Sequence, residues 1–217
     1  VTDVNGNSST CTTTVTVEDN VAPDAVCVAP FTVQLDASGN ASITAADIDG
    51  GSTDACGVAS ISIDQTDFTC ADVGDNTITL TVTDVNGNSS TCTTTVTVED
   101  SVPPAISCPM SLVVENDPGE CGAMVTFADA SAVDACGIAS IVQTVGPASG
   151  SIFPIGDTLI EYTATDVNGN MSVCSFTITV NDTEFPVAVC QDITVELDPV
   201  TGMAMISPMD IDIINGH

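Results

Sequence analysis

The chain has no lysine, no arginine and no tryptophan, and its one histidine is the last residue, His217. Each absence removes a class of function. A chain without cations cannot neutralise phosphates, so nucleic-acid binding is excluded. The same lack excludes docking to anionic lipid through a polybasic patch. No Lys is present for a Schiff base or a P-loop, and no Arg for a carboxylate clamp. A Ser-His-Asp or Cys-His site would have to use a terminal His, so the chain is expected not to be an enzyme. Aromatics make up 3% of the 217 residues, so the core must be small and aliphatic. No apolar run approaches the ~18 residues of a membrane span, and no membrane insertion is expected in this segment.

What is present is acid, threonine and cysteine. Thirty Asp and Glu give a formal net charge of -30, with 23 Asp against 7 Glu. Hydrophobic residues still make up 43% and mean hydropathy is +0.36, so this is a folded chain and not a disordered acidic tail. Thr, Val, Ile and Ala dominate, which suits strands. Ten Cys point to an oxidising, extracellular setting.

The sequence repeats itself. Residues 1–19, VTDVNGNSSTCTTTVTVED, recur without a change at 82–100, and a diverged copy fills 164–182. DACGVAS at 54–60 returns as DACGIAS at 134–140. A third segment, 21–36, is echoed at 102–117 and at 185–198. The unit is therefore about 81 residues. On this reading 1–19 end one repeat, 20–100 and 101–182 are full repeats, and 183–217 start another.

Within a unit the pattern alternates. Ile78, Leu80 and Val82 point one way along Thr77–Thr83, and the threonines point the other way. Asp84-Val85-Asn86-Gly87-Asn88 then reads as a hairpin turn, and the return strand points Cys92, Thr94, Val96 and Val98 inward. Residues 158–180 read alike, with Ile160, Tyr162, Cys174, Phe176, Ile178 and Val180 inward. Shorter strands are expected at 31–35, 41–44 and 58–63, and at 112–115, 123–128 and 138–142. One helical turn fits 45–49, and Phe153-Pro154 reads as a turn whose ring plugs the core. Short strands at about ten-residue spacing indicate an all-β antiparallel sandwich. The threonine row makes an exposed face of cross-strand Thr pairs.

In the second unit these motifs follow in a fixed order. Cys108-Pro109 is followed by Gly119-Glu120-Cys121, Asp134-Ala135-Cys136-Gly137 and Phe153-Pro154-Ile155-Gly156. Then come Tyr162-Thr163-Ala164-Thr165-Asp166, Gly169-Asn170 and Cys174-Ser175-Phe176. The order resembles the hyalin repeat, an immunoglobulin-like extracellular module. The resemblance implies tandem immunoglobulin-like sandwiches in a rod-like array. The first unit departs from the pattern: it has Cys70 in place of a counterpart to Cys121, and Ala71-Asp72-Val73-Gly74 where Phe-Pro-x-Gly is expected. Lys-poor, Thr- and Asp-rich arrays of this kind look like giant surface adhesins of gliding bacteria exported by the type IX secretion route.

The cysteines read as disulfides: Cys27, Cys56, Cys70 and Cys92 in one unit, Cys108, Cys121, Cys136 and Cys174 in the next. No CxxC pair or His offers a zinc set. Four Cys allow three pairings. The immunoglobulin-like topology implied by the resemblance favours Cys56–Cys92 with Cys27–Cys70, and Cys136–Cys174 with Cys108–Cys121.

By the same analogy, three acidic segments meet at one end of each sandwich. In the first unit they are Glu18 and Asp19 of the incoming linker, Asp54, and the hairpin residues Asp84, Asn86 and Asn88. In the second they are Glu99, Asp100, Asp134, Asp166, Asn168 and Asn170. Two readings stand side by side. The carboxylates converge on a calcium ion, which takes six to eight oxygens and would fix the angle between units. Or Asp and Asn are simply good turn residues on a solvated end. The functional expectation is a structural stalk of an extracellular cell-surface adhesin, with neighbouring repeats as partners. The alternative is a calcium-dependent module that binds a glycan or a surface protein, or a subunit of a surface filament.

Overall fold

The computed structural model describes residues 1–186, 189 and 192–208. His217 and part of the third echo at 185–198 lie outside them. The chain divides into two compact units, Val1–Val102 and Pro103–His217.

The first unit is a two-layered β-structure. One layer orders four strands as β1 (Phe31–Gln34), β6 (Ser89–Glu99), β5 (Gly74–Asp84) and β3 (Val58–Ile63). The other pairs β2 (Asn40–Ser42) with β4 (Asp67–Thr69), while Asp24–Thr53 and Cys27–Asp49 form isolated antiparallel bridges. The expected helical turn is present as α1 (Ala45–Ile48). The Asp47 carboxylate accepts from both the N–H and the hydroxyl of Thr44, and Ile48 is fully buried beneath the turn.

The long hairpin follows the alternation read from the sequence. Ile78, Leu80, Val82, Val96 and Val98 have no exposed surface. The threonines pair across the outer face as Thr77–Thr95, Thr79–Thr93 and Thr81–Thr91. One pairing departs from an all-antiparallel sandwich: β1 runs parallel to β6, with Phe31 opposite Val96 and Val33 opposite Val98. Parallel neighbours need a long crossover, and residues 35–88 supply it.

The second unit repeats this plan. Its large layer is β11 (Ile138–Val145), β13 (Gly156–Asp166), β14 (Met171–Asn181) and β8 (Leu112–Glu115), with β8 parallel to β14. Two pairs complete the unit, β7 (Ala105–Ser107) with β10 (Ser131–Val133), and β9 (Gly122–Val125) with β12 (Ser151–Pro154). Phe153 does plug the core, fully buried, but Phe153 and Pro154 lie in strand β12 and not in a turn. The core is also less purely aliphatic than composition implies. Phe127 packs edge-on against Phe153 and Phe176, with ring centroids 6.1 and 5.3 Å apart.

The first unit's departure from the repeat pattern has a simple structural form. Phe153 pairs with Ala123, and Phe68 pairs with Ala41 in the same place. Both rings are buried. Two residues separate Phe153 from Gly156, which opens β13, whereas five separate Phe68 from Gly74, which opens β5. A 3-10 turn, Cys70–Asp72, takes up the difference. The first unit therefore keeps the core phenylalanine and inserts a turn after it.

Candidate functional site: the linker end of the sandwich

The hairpin turn is built by one carboxylate. Asp84 Oδ1 accepts the N–H groups of Asn86 and Asn88, both at 2.8 Å, and its Oδ2 accepts Asn88 Nδ2 at 2.8 Å. Gly87 supplies the left-handed conformation the turn needs, at φ 95. Asp166 does the same for Asn168 and Asn170, and Asp3 for Asn5 and Asn7. Asp3 lies in a fully exposed stretch outside any strand, so the turn forms without a sandwich around it.

Asn88 also reaches the incoming linker. Its Nδ2 donates to the carbonyls of Asp19, at 3.1 Å, and Val21, at 3.2 Å. Ser90 Oγ donates to the carbonyl of Pro23, and Asp24 exchanges backbone bonds with Thr53. Ser172 and Pro104 repeat the serine contact in the second unit. Sequence reasoning missed this role of Ser90 and Ser172. The signal was there, because a serine stands two residues after the last Asn of every copy of the turn.

Against this geometry the expected calcium ligands separate into groups. Asp19, Asp54 and Cys56 come together, with one ligand atom from each within 4.8 Å of the others. Asp19 and Asp54 spend only Oδ1 on backbone N–H groups, those of Val21 and of Cys56 and Gly57. Asp84 is different: it is buried and both its oxygens serve the turn. Asn88 is a donor to the linker, Asn86 lies on the exposed tip, and Glu18 is exposed. In the second unit Asp134 caps the N–H groups of Cys136 and Gly137, while Asp166 with Asn168 and Asn170 forms the turn. Asp100 Oδ1 accepts the N–H of Val102, as Asp19 does for Val21. Glu99 accepts the side-chain amide of Gln34 within the first unit, at 2.7 Å.

The cysteine pairing differs from expectation. The bridges are Cys27–Cys92 and Cys108–Cys174, while Cys56 and Cys121 are free thiols on the surface. Cys70 and Cys136 are both bonded. Cys56–Cys92 and Cys136–Cys174 fail for a reason of distance. Cys92 stands opposite Leu80, four residues short of Asp84 at the hairpin, so about 14 Å of strand separates it from the Cys56 loop. A disulfide spans no more than ~7 Å between Cα atoms. Cys27–Cys70 and Cys108–Cys121 fail because Cys27 and Cys108 are already bonded, each beside the inward-facing Cys of the last strand. The Cys56 thiol donates to Asp19, and this bond together with the charges of Asp19, Asp54 and Asp84 holds it above its ordinary pKa. Its proton is therefore held more firmly than that of an ordinary thiol.

The turn carboxylates carry a pH prediction. Burial alone would raise the pKa of Asp84, but the Asn88 amide and the N–H groups of Asn88, Asn86 and Gly87 outweigh it and hold it below the usual 3.8. Asp166 behaves alike. A depressed value means the folded state favours the charged form. The support is therefore complete above about pH 4 and is lost as acid protonates the folded carboxylates. Melting temperature should stay level from pH 7 to about 4 and fall below it, with the Asn88 and Asn170 side-chain amide resonances shifting in the same window. A decline beginning near pH 6 would contradict this account.

Three comparisons bear on the family. Residues 99–180 match the HYR domain. That span carries a hyalin-repeat domain, and it coincides with the second unit's strands. Hyalin of Strongylocentrotus purpuratus is 34% identical over 201 residues, covering 87% of this chain and 16% of that protein. Hyalin of Lytechinus variegatus is 32% identical over 187 residues, covering 82% and 35%. A mouse protein with Sushi, von Willebrand factor type A, EGF and pentraxin domains is 37% identical over 112 residues, covering 50% and 3%. The chain thus spans a minor part of each of these relatives. Among solved structures, human Protocadherin-24 EC1-2 is 14% identical with a TM-score of 0.35, covering 76% of this chain and all of that one. Among the described residues no helix is long and apolar enough to cross a membrane.

Proposed function

We propose that this chain is a spacer segment of an extracellular, cell-surface adhesion protein, with 20–100 and 101–182 as successive repeats. The observation that supports it most is the pinned linker. Asn88, Ser90 and Thr53 hold residues 19–24 against their own sandwich, so the connection lacks the slack of a Gly/Ser tether. The hyalin-repeat match and the hyalin relatives agree with adhesion outside the cell. A net charge of -30 keeps neighbouring chains soluble and apart. The Lys- and Arg-free, Thr- and Asp-rich composition supports the finer reading, a surface adhesin of gliding bacteria exported by the type IX route. A sorting domain in the parent reading frame would test that. For the spacer itself the test is a glycan array and a cell-surface pull-down of the whole chain. No specific capture is expected, and saturable capture would overturn it.

The second reading is a calcium-stiffened or calcium-dependent binding repeat, favoured by the meeting of Asp19 and Asp54. Its ligand set is smaller than expected, since the Asp84 and Asp166 carboxylates serve their turns. Melting in millimolar Ca²⁺ and in chelator separates the readings. A bound ion at a hundredfold excess over its dissociation constant stabilises by about 2.7 kcal/mol, a rise of roughly 11–22 °C in a domain this small. No rise retires the metal and leaves the acidic end as turn chemistry.

A further inference from the structure

The tip of each long hairpin carries an Asn-Gly pair, Asn86-Gly87 and Asn168-Gly169, and all four residues are exposed. Asn168 is as open as Asn86 although a full unit precedes it. The turn uses these two asparagines through their backbone only. Their N–H groups donate to Asp84 Oδ1 and Asp166 Oδ1 at 2.8 and 2.9 Å. Their side-chain amides make no hydrogen bond among the described residues, whereas those of Asn76, Asn88, Asn116 and Asn170 are donors. The residue that follows is open too. A Cβ on Gly87 or Gly169 would meet nothing within 4 Å. Each glycine N–H reaches its carbonyl, that of Asp84 or Asp166, at only 3.3 or 3.4 Å, the longest bond of its turn. Every other asparagine from 20 to 182 is followed by a residue with a side chain.

We propose that Asn86 and Asn168 are self-modifying sites, at which the next glycine closes on the asparagine and converts the turn, with water, to an isoaspartyl or aspartyl one. The Gly169 nitrogen attacks Asn168 Cγ, a C–N bond forms and closes a five-membered succinimide, and the Cγ–Nδ2 bond breaks. Nδ2 leaves as ammonia, carrying the proton that Gly169 gave up. Water then opens the ring at either carbonyl, and no oxidant or reductant is needed. The two reacting groups are neighbours in the chain, so the attack is intramolecular. Glycine puts no side chain in its path. Closure breaks only the weak bond from Gly169 to the Asp166 carbonyl. The isoaspartyl product carries the main chain through Cγ. It adds one methylene between the N–H groups of 168 and 170, which grip the same oxygen of Asp166, and one of those bonds is lost. In the first unit the same change disturbs Asn88, whose amide joins Asp84 to the linker carbonyls of Asp19 and Val21.

The experiment holds the full chain in mildly alkaline buffer, one sample native and one in denaturant, and withdraws portions over time. Reduction and cleavage after glutamate follow, and fragmentation mass spectrometry locates each amide that has become an acid. Asn168, Asn170 and Asn181 fall together in peptide 162–184, and Asn86 and Asn88 in peptide 19–99, so each reactive asparagine has an internal comparison. In the native chain Asn86 and Asn168 are expected to convert first, to both isoaspartate and aspartate, while Asn88 and Asn170 stay amides. The converted chain is then collected by its added negative charge and melted beside the Asn168→Asp variant, which has the charge without the extra methylene. Loss of one hydrogen bond to a carboxylate should place the second unit's transition about 6 °C or more below that of the variant. The proposal is overturned if Asn86 and Asn168 stay intact in the native chain while the denatured chain converts. It is overturned equally if asparagines without a following glycine convert as early, or if the converted chain melts with the Asn168→Asp variant.

Discussion

Replacing Cys27 and Cys92 together by serine should lower the melting temperature of the first unit by about 15 °C or more. The bridge closes a loop of 65 residues, and closure of that length removes about 4 kcal/mol of chain entropy from the unfolded state. In a domain of this size each kcal/mol moves the midpoint by ~4–8 °C. The first unit has little else to fall back on. Phe68 is its one fully buried aromatic ring, and the rest of its core is Ile, Leu and Val. The bridge also ties the segment before β1 to the last strand, so it holds the end of the chain fold to its beginning. Both cysteines are replaced together so that no orphan thiol exchanges with Cys11 or Cys56. Differential scanning calorimetry of the full chain reads the result. A shift under about 5 °C would mean that the reduced unfolded chain keeps structure of its own, and that loop entropy is the wrong account.

The hairpins were legible because they are local. Alternation, an Asn-Gly turn and a second alternating run lie within about twenty-five residues, and the inward sets read from 77–83 and 91–98 are the buried ones. Yet the identical segments 1–19 and 82–100 show how far local sequence reaches. Both form the Asp-stapled turn, but only the copy with a β5 and a β1 beside it forms a strand. Turn chemistry is written in five residues, and strand pairing is decided by partners. The short strands β4, β7, β10 and β12 have three or four residues each and no alternation long enough to read. The cysteine pairing was not legible because which strand lies over which is a fact of topology. An analogy placed Cys56 and Cys92 at one end, whereas register places Cys92 four residues inside the sheet. The meeting of Asp19 with Asp54 was anticipated. That Asp84 would serve its own turn was the other of the two readings, and the turn residues that occupy it follow directly in the sequence.

Phe153→Ala should cost the second unit about 3–5 kcal/mol and leave the first unit's transition where it was. The ring is fully buried and stands edge-on to Phe127, which in turn stands edge-on to Phe176. Removing it leaves a hole at the meeting of both layers and forfeits one ring–ring contact, itself worth about 0.5–1.5 kcal/mol. The surroundings have little freedom to fill the gap. Gly122 sits so close that a Cβ there would lie 2.5 Å from the Phe153 carbonyl oxygen, so the backbone of β9 is already against that of β12. Phe68→Ala is the matching change in the first unit, where the same position opposite an alanine is filled from a strand three residues farther from its glycine. Calorimetry of the two variants should therefore show opposite transitions displaced, each by roughly 12 °C or more at this domain size. If both variants displaced a single shared transition, the chain would unfold as one cooperative body. The three-residue turn after Phe68 would then have to be explained by something other than the filling of its own core.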